Sequence, residues 1–212
     1  RWVSDFQEGV VEECARAGVS LVGGDLSSSA HIALGVTALG NLSGRPAVTR
    51  AGARAGDQVA VCGRLGCSAG GLLVLQRGFG SPKDLVLEQQ CPTVPYGQGK
   101  VAAEAGATAM IDVSDGLLQD LGHICELSGV GIDVRTGALK IHDSLARLAA
   151  ATGKDPLGFV LAGGEDHALA ATFPAEVELP QGWLRIGTVT AGAEVIVDGM
   201  PWTGSVGWDH FA

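Results

Sequence analysis

The segment Ala109–Leu118, A-M-I-D-V-S-D-G-L-L, constrains the fold of this chain more than any other. Met110, Ile111 and Val113 read as a buried strand. After Gly116 the apolar residues Leu117, Leu118, Leu121, Ile124 and Cys125 fall at helical spacing. A strand therefore gives way to a helix across Ser114-Asp115-Gly116. Alternate strand residues share a face, so Asp112 and Ser114 are expected to point the same way. Asp115 falls at or just before the helix N-terminus, where an anion is favoured and a cap is needed. Asp, Ser and Asp within four residues form a ligand set suited to a hard cation such as Mg²⁺ and to the phosphate it carries. A plain capped helix after a strand would use the same residues.

The flanking pattern mixes strands and helices without strict βαβ alternation, which predicts an α+β fold of layered helices and a mixed, largely antiparallel sheet. Helices are expected at Ser4–Arg16, Ser68–Gln76, Leu85–Gln90, Gln98–Glu104 and Ser144–Ala151, and a short helix or turn at Pro156–Ala162. Strands are expected at Val19–Val22, His31–Leu39, Gln58–Cys62, Gly131–Arg135 and His167–Phe173, with Leu184–Val189 and Glu194–Val197 as a closing pair. The polar, glycine-punctuated run T-R-A-G-A-R-A-G-D at Thr49–Asp57 is the best candidate for a domain boundary. The division expected there is 1–48 and 49–212.

A chain of 212 residues with 46% hydrophobic content can bury a sizeable core. Its 33 glycines imply many tight turns and close backbone approaches. A net charge of −9 argues against nucleic acid or an acidic membrane surface as the main partner, since both need clustered Lys and Arg. It leaves room for a nucleotide held through metal ions. The five cysteines show no C-x-x-C spacing and read as reduced, buried thiols of a cytoplasmic protein. No apolar run reaches membrane-spanning length and no signal-peptide pattern opens the chain. The absent initial methionine and the helical pattern within a few residues of Arg1 suggest part of a longer protein.

Three further groups of residues bear on chemistry. Gly23-Gly24-Asp25 follows an apolar run; paired glycines let a backbone approach a ligand, and the acid beyond them can hold a metal, although an ordinary turn has the same composition. Gly163-Gly164-Glu165-Asp166 repeats that logic, and either acid suits a metal or a ligand amino group. Arg50 and Arg54 flank the glycine-rich connection. Either is long enough to reach a triphosphate, whose geometry the guanidinium fork matches, but Arg54 reads as a solvated surface residue. Trp208, in the terminal W-D-H-F, suits either packing or stacking on a flat heterocycle. The chain lacks a GxxxxGK[ST] loop, a GxGxxG after a strand, a Gly-x-Ser-x-Gly elbow and an HExxH pair.

Taken together and in order, these pieces resemble the thiamine-monophosphate kinase family, of the superfamily that also holds aminoimidazole ribonucleotide synthetase. The matching pieces are V-G-G-D at Val22–Asp25, T-R-A-G-A-R-A-G-D at Thr49–Asp57 and G-R-L-G-C-S-A-G-G-L at Gly63–Leu72. They continue with I-D-V-S-D-G-L at Ile111–Leu117, D-L-G-H at Asp120–His123, G-G-E-D at Gly163–Asp166 and D-H-F at Asp209–Phe211. The resemblance implies that Asp25, Asp112 and Asp115 are magnesium ligands and that Gly24, Asp25, Arg50 and Ser114 contact ATP. It implies that Glu165 and Trp208 contact thiamine monophosphate. It also implies a homodimer formed through an N-terminal domain, of which 1–48 is the remainder, followed by an α/β domain. Leu26 stands where the family has Thr, and His167-Ala168 where it commonly has Tyr-Glu.

The expected reaction is ATP- and Mg²⁺-dependent phosphorylation of thiamine monophosphate to thiamine diphosphate by direct in-line transfer. No catalytic proton carrier is assigned, because a phosphate acceptor is already largely anionic at neutral pH. The alternatives are another ATP-dependent enzyme of the same superfamily, of the aminoimidazole ribonucleotide synthetase type, or an inactive fragment that binds ligand or dimerises.

Overall fold

The computed structural model of the chain describes residues 1–208. The chain divides into two compact units, Arg1–Ala47 and Val48–Ala212.

In the first unit, α1 spans Trp2–Ala17 and begins before the expected Ser4. Trp2 and Phe6 lie one turn apart and stack with ring centroids 5.5 Å apart. Gly18 ends the helix at φ 69°, a left-handed conformation that suits glycine and lets Val19 N–H reach the Cys14 carbonyl at 2.9 Å. The strands expected at Val19–Val22 and His31–Leu39 do not form; both runs are irregular. A strand exists through backbone pairing with a neighbour, and neither run has one within this unit. Their apolar side chains are bare: Val22, Val36 and Leu39 are 90%, 89% and 91% exposed. Apolar composition alone does not make a strand.

The second unit is built on a seven-stranded sheet. Its strands are β1 (Gln58–Cys62), β2 (Ala109–Val113), β3 (Gly131–Val134), β4 (Ala168–Phe173), β5 (Leu184–Thr190), β6 (Val195–Val197) and β7 (Met200–Pro201). The order across the sheet is β2-β4-β1-β5-β3-β6-β7. Every pair is antiparallel except β3–β6. The expected α+β class with a largely antiparallel sheet is therefore what forms. The expected closing pair of Leu184–Val189 and Glu194–Val197 is corrected: β3 lies between β5 and β6. Gly187 permits this, because a Cβ there would stand 2.3 Å from the Asp133 carbonyl oxygen of β3.

Among the described residues six α-helices surround the sheet: α2 (Cys67–Gln76), α3 (Lys83–Gln90), α4 (Gln98–Glu104), α5 (Leu117–Ser128), α6 (Asp143–Thr152) and α7 (Pro156–Ala162). The pleat sends Val59 and Val61 of β1 into the larger core, where Leu117, Leu121 and Ile124 of α5 meet Val74, Leu145, Val160 and Leu161. Each of these large α5 side chains is fully buried and contributes roughly 1.5–3 kcal/mol over exposure. The intervening residues Ala60 and Cys62 join a smaller core on the other face, with Ala102 of α4, Phe173 and Trp183. Phe173 and Trp183 meet edge to face at 5.5 Å, and the indole N–H of Trp183 donates to Gln98 at 3.1 Å. Cys62, Cys67 and Cys125 are buried as expected, whereas Cys91 is exposed.

Candidate functional site

The site in the second unit is assembled where β2 runs into α5. Ala109, Ile111 and Val113 of β2 are buried, while Asp112 is exposed. Strand β2 ends the sheet, and beyond its pairing with β4 its Met110 N–H donates to the Thr49 carbonyl at 2.9 Å. This brings the glycine-rich connection alongside Asp112. Thr49, Arg50, Met110, Asp112, Leu127 and Leu169 line an open cavity of about 590 Å³. Arg50 and Asp112, chosen from separate motifs, thus share one cavity. Ser128, at the end of α5, fixes the connection: its hydroxyl donates to the Arg50 carbonyl at 3.1 Å and accepts the N–H groups of Gly52 and Ala53. Arg54 is exposed, as expected, and its backbone N–H is tied to Asp57.

The Ser114–Gly116 corner is held from inside the helix it precedes. Gly116 occupies the N-cap with φ 138° and offers no side chain. Asp120, one turn into α5 and 2% exposed, turns Oδ2 back to accept the N–H groups of Ser114, Asp115 and Gly116 at 3.0, 3.1 and 3.2 Å. Capping is thus supplied by Asp120, and the expected cap at Asp115 gives way to it. Burial pushes the Asp120 carboxyl above its ordinary pKa, against the lowering effect of these donors. Sequence reasoning missed Asp120, although an acid in the first helical turn, inside the D-L-G-H piece, is a readable signal.

Two further segments dock on the carbonyl side of the same corner. Glu165 N–H donates to the Ser114 carbonyl at 2.7 Å, and Trp208 N–H to the Asp115 carbonyl at 2.8 Å. His167 N–H reaches the Val113 carbonyl at 3.0 Å. Gln119 of α5 secures the Trp208 segment, donating to the Trp208 carbonyl at 2.8 Å. Glu165 and His167 both hold left-handed backbone, at φ 64° and 50°, and their side chains approach to 3.6 Å. Non-glycine residues kept in that region cluster at binding and catalytic sites. Glycine makes the docking possible: a Cβ on Gly164 would stand 2.6 Å from the Ser114 carbonyl oxygen, and one on Gly116 about 3.0 Å from Ala162 and Gly207.

Four of the expected site residues, Ser114, Asp115, Glu165 and Trp208, are therefore joined directly, with Asp112 at the end of the same strand. Trp208 is 65% exposed. The Gly163–Asp166 motif splits its two acids. Glu165 is exposed, but Asp166 is buried and binds the N–H groups of Gly66 and Ser68, so the reading of Asp166 as a ligand to a metal or amine is corrected. Gly24 and Asp25 lie in the first unit, both exposed; Asp25 accepts a hydrogen bond from Ser27 at 3.1 Å. Asp209–Phe211 lie outside the described residues.

Among the described residues no three His, Cys, Asp or Glu side chains form a metal-holding group. Asp112 and Asp115 nonetheless fit Mg²⁺ in its usual manner, where one or two carboxylates act with substrate phosphate oxygens. No described helix is long and apolar enough to cross a membrane.

Comparison with known proteins places the chain in a family. Residues 54–199 match the family described as AIR synthase related protein, C-terminal domain. Thiamine-monophosphate kinase from Mycobacterium tuberculosis (strain CDC 1551 / Oshkosh) is 50% identical over 210 residues, covering 98% of this chain and 62% of that protein. The Aquifex aeolicus thiamine-monophosphate kinase is 35% identical over 215 residues, covering 99% of this chain and 69% of that one. A solved structure of AaThiL complexed with AMPPCP and TMP superposes with a TM-score of 0.72 at 36% identity, over 77% of this chain and 54% of that chain. The chain thus spans a little over three fifths of the M. tuberculosis relative. It belongs to the thiamine-monophosphate kinase family and carries that family's AIR synthase related C-terminal domain.

Proposed function

We propose that this protein transfers the γ-phosphoryl group of ATP to the phosphate of thiamine monophosphate, giving thiamine diphosphate and ADP. The observation that carries the reading is the joining of Ser114, Asp115, Glu165 and Trp208 at one corner, beside the cavity shared by Asp112 and Arg50. The family supports it, as does a relative described in complex with AMPPCP and TMP.

The residues suit the chemistry. An oxygen of the acceptor phosphate attacks the γ-phosphorus, and the bond from that phosphorus to the bridging oxygen of ADP breaks. The acceptor's second pKa is near 6, so no protein base is required. What the protein must supply is positioning and relief of repulsion between two anions. The ring of Trp208 offers a stacking surface for the flat part of thiamine, and Glu165 an anion for its amino or cationic groups. Arg50 presents a guanidinium to the triphosphate, and the Ser114 hydroxyl a donor to a phosphate oxygen. In this reading Asp112 and Asp115 are metal ligands of the second unit; the family resemblance gives Gly24 as an ATP contact and Asp25 as an ATP contact and metal ligand. Mg²⁺ bound by these carboxylates would neutralise phosphate charge and align the in-line transfer.

The same reading takes 1–48 as part of an N-terminal domain that binds ATP and Mg²⁺ and dimerises. It takes 49–212 as the C-terminal domain of a cytoplasmic homodimer. The deciding experiment measures thiamine diphosphate formed from thiamine monophosphate, ATP and Mg²⁺, on this chain and on a version extended to its relatives' length. Product from the extended version supports the reading. No product from either refutes it.

A further inference from the structure

We infer that Asp120 is a positioning residue for both thiamine-binding arms, acting through two peptide planes that it grips from behind. This rests on the reading of Glu165 and Trp208 as substrate contacts. A trans peptide is planar, with its N–H and C=O pointing in opposite directions. The unit between Ser114 and Asp115 presents its N–H to Asp120 Oδ2 at 3.1 Å and its carbonyl to Glu165 N–H at 2.7 Å. The unit between Asp115 and Gly116 presents its N–H to the same oxygen at 3.2 Å and its carbonyl to Trp208 N–H at 2.8 Å. Fixing the N–H side of each plane therefore fixes the direction of the carbonyl that holds one substrate arm.

The hydrogen bonds of Asp120 go to Ser114, Asp115 and Gly116, yet both arms hang from planes it orients. Its burial keeps water from competing for those donors, and a carboxylate binds several N–H groups more strongly than a neutral acceptor. Three donors on one oxygen exceed what closing α5 requires, since the Ser114 and Asp115 N–H groups precede the N-cap. Gly116 and Gly164 leave the space in which the planes and the Glu165 loop meet.

The test is Asp120→Asn in the full-length protein, read by amide hydrogen exchange and by thiamine monophosphate binding through Trp208 fluorescence. Asn keeps the shape and one oxygen but loses the charge. The expected result is exchange at least tenfold faster at the Glu165 and Trp208 amides, measured relative to core amides of β1. Affinity for thiamine monophosphate should fall about tenfold. Unchanged exchange at those two amides overturns the inference, whatever happens to the melting temperature, because a simple helix cap would loosen only residues 114–116. If wild-type protein fails to bind thiamine monophosphate, the substrate reading falls and the exchange arm still decides the role of Asp120.

Discussion

The carboxylate of Asp166 points into the protein and accepts the N–H groups of Gly66 and Ser68, while the side chain of its neighbour Glu165 is 65% exposed. The left-handed backbone of Glu165 and His167 on either side of Asp166 makes that division possible. One acid anchors the loop to the start of α2, and the other faces solvent, 3.6 Å from His167.

Burial pushes the Asp166 carboxyl up to about 7, with Glu88 adding repulsion and the Ser68 and Gly66 donors opposing it. The folded protein therefore holds a proton between pH 4 and 7 that the unfolded chain releases. Stability from this group is full below pH 4 and is lost as pH rises through 7. At 1.36 kcal/mol per pKa unit the loss is at most about 4 kcal/mol. Asp166→Asn should flatten that part of the profile. It should also cost about 1–3 kcal/mol throughout, because its NH₂ must face one of the two donors. Urea unfolding of both proteins at pH 5 and pH 7.5 checks this; parallel profiles would refute the assignment.

Trp208→Ala should raise the KM for thiamine monophosphate about 2- to 12-fold, the range given by roughly 0.5–1.5 kcal/mol of stacking. The side chain is 65% exposed, so the melting temperature should hardly move. Trp208→Phe should recover most of the affinity. Steady-state kinetics on the full-length protein measures both, and an unchanged KM in the Ala variant excludes the ring from the substrate site.

Asp112→Asn should lower turnover at least a hundredfold with little change in folding, because the side chain is exposed at the cavity shared with Arg50. The effect is electrostatic, so added Mg²⁺ should restore only part of the rate. Normal turnover at saturating Mg²⁺ would remove Asp112 from the metal site.

Gly164→Ala should damage both stability and substrate binding. Its Cβ would stand 2.6 Å from the Ser114 carbonyl oxygen, the acceptor that holds Glu165, so the loop must move away from the corner. A destabilisation of about 1–3 kcal/mol, the usual cost of overpacking, is expected. It should come with a larger rise in KM for thiamine monophosphate than for ATP. Thermal unfolding and kinetics on the same sample test the pairing; equal changes in both KM values would contradict it.

Much of the second unit was legible because its signals are local. The apolar run of β2, the helical spacing from Leu117 and the glycine at the junction each depend on residues a few positions apart. Strands β1, β3 and β4 were read within a residue or two for the same reason. The runs Val19–Val22 and His31–Leu39 carried equally strong composition and formed no strand, since pairing is a property of two segments. The closing pair failed likewise: adjacency in sequence favours β5 with β6, and β3 takes the place between them.

By itself, then, the sequence determined which residue types stand at each strand and helix boundary, the family, and the identity of the carboxylates, arginine and tryptophan that suit phosphate and a flat cation. Only the tertiary structure decided which of them work together. Asp120 and Asp166 resemble Asp112 and Glu165 as letters; burial and converging N–H groups make the first pair anchors, while the second pair stays exposed. That distinction depends on backbone donors brought together from residues 66–68, 114–116 and 163–167, and no local pattern records which donors a carboxylate will meet.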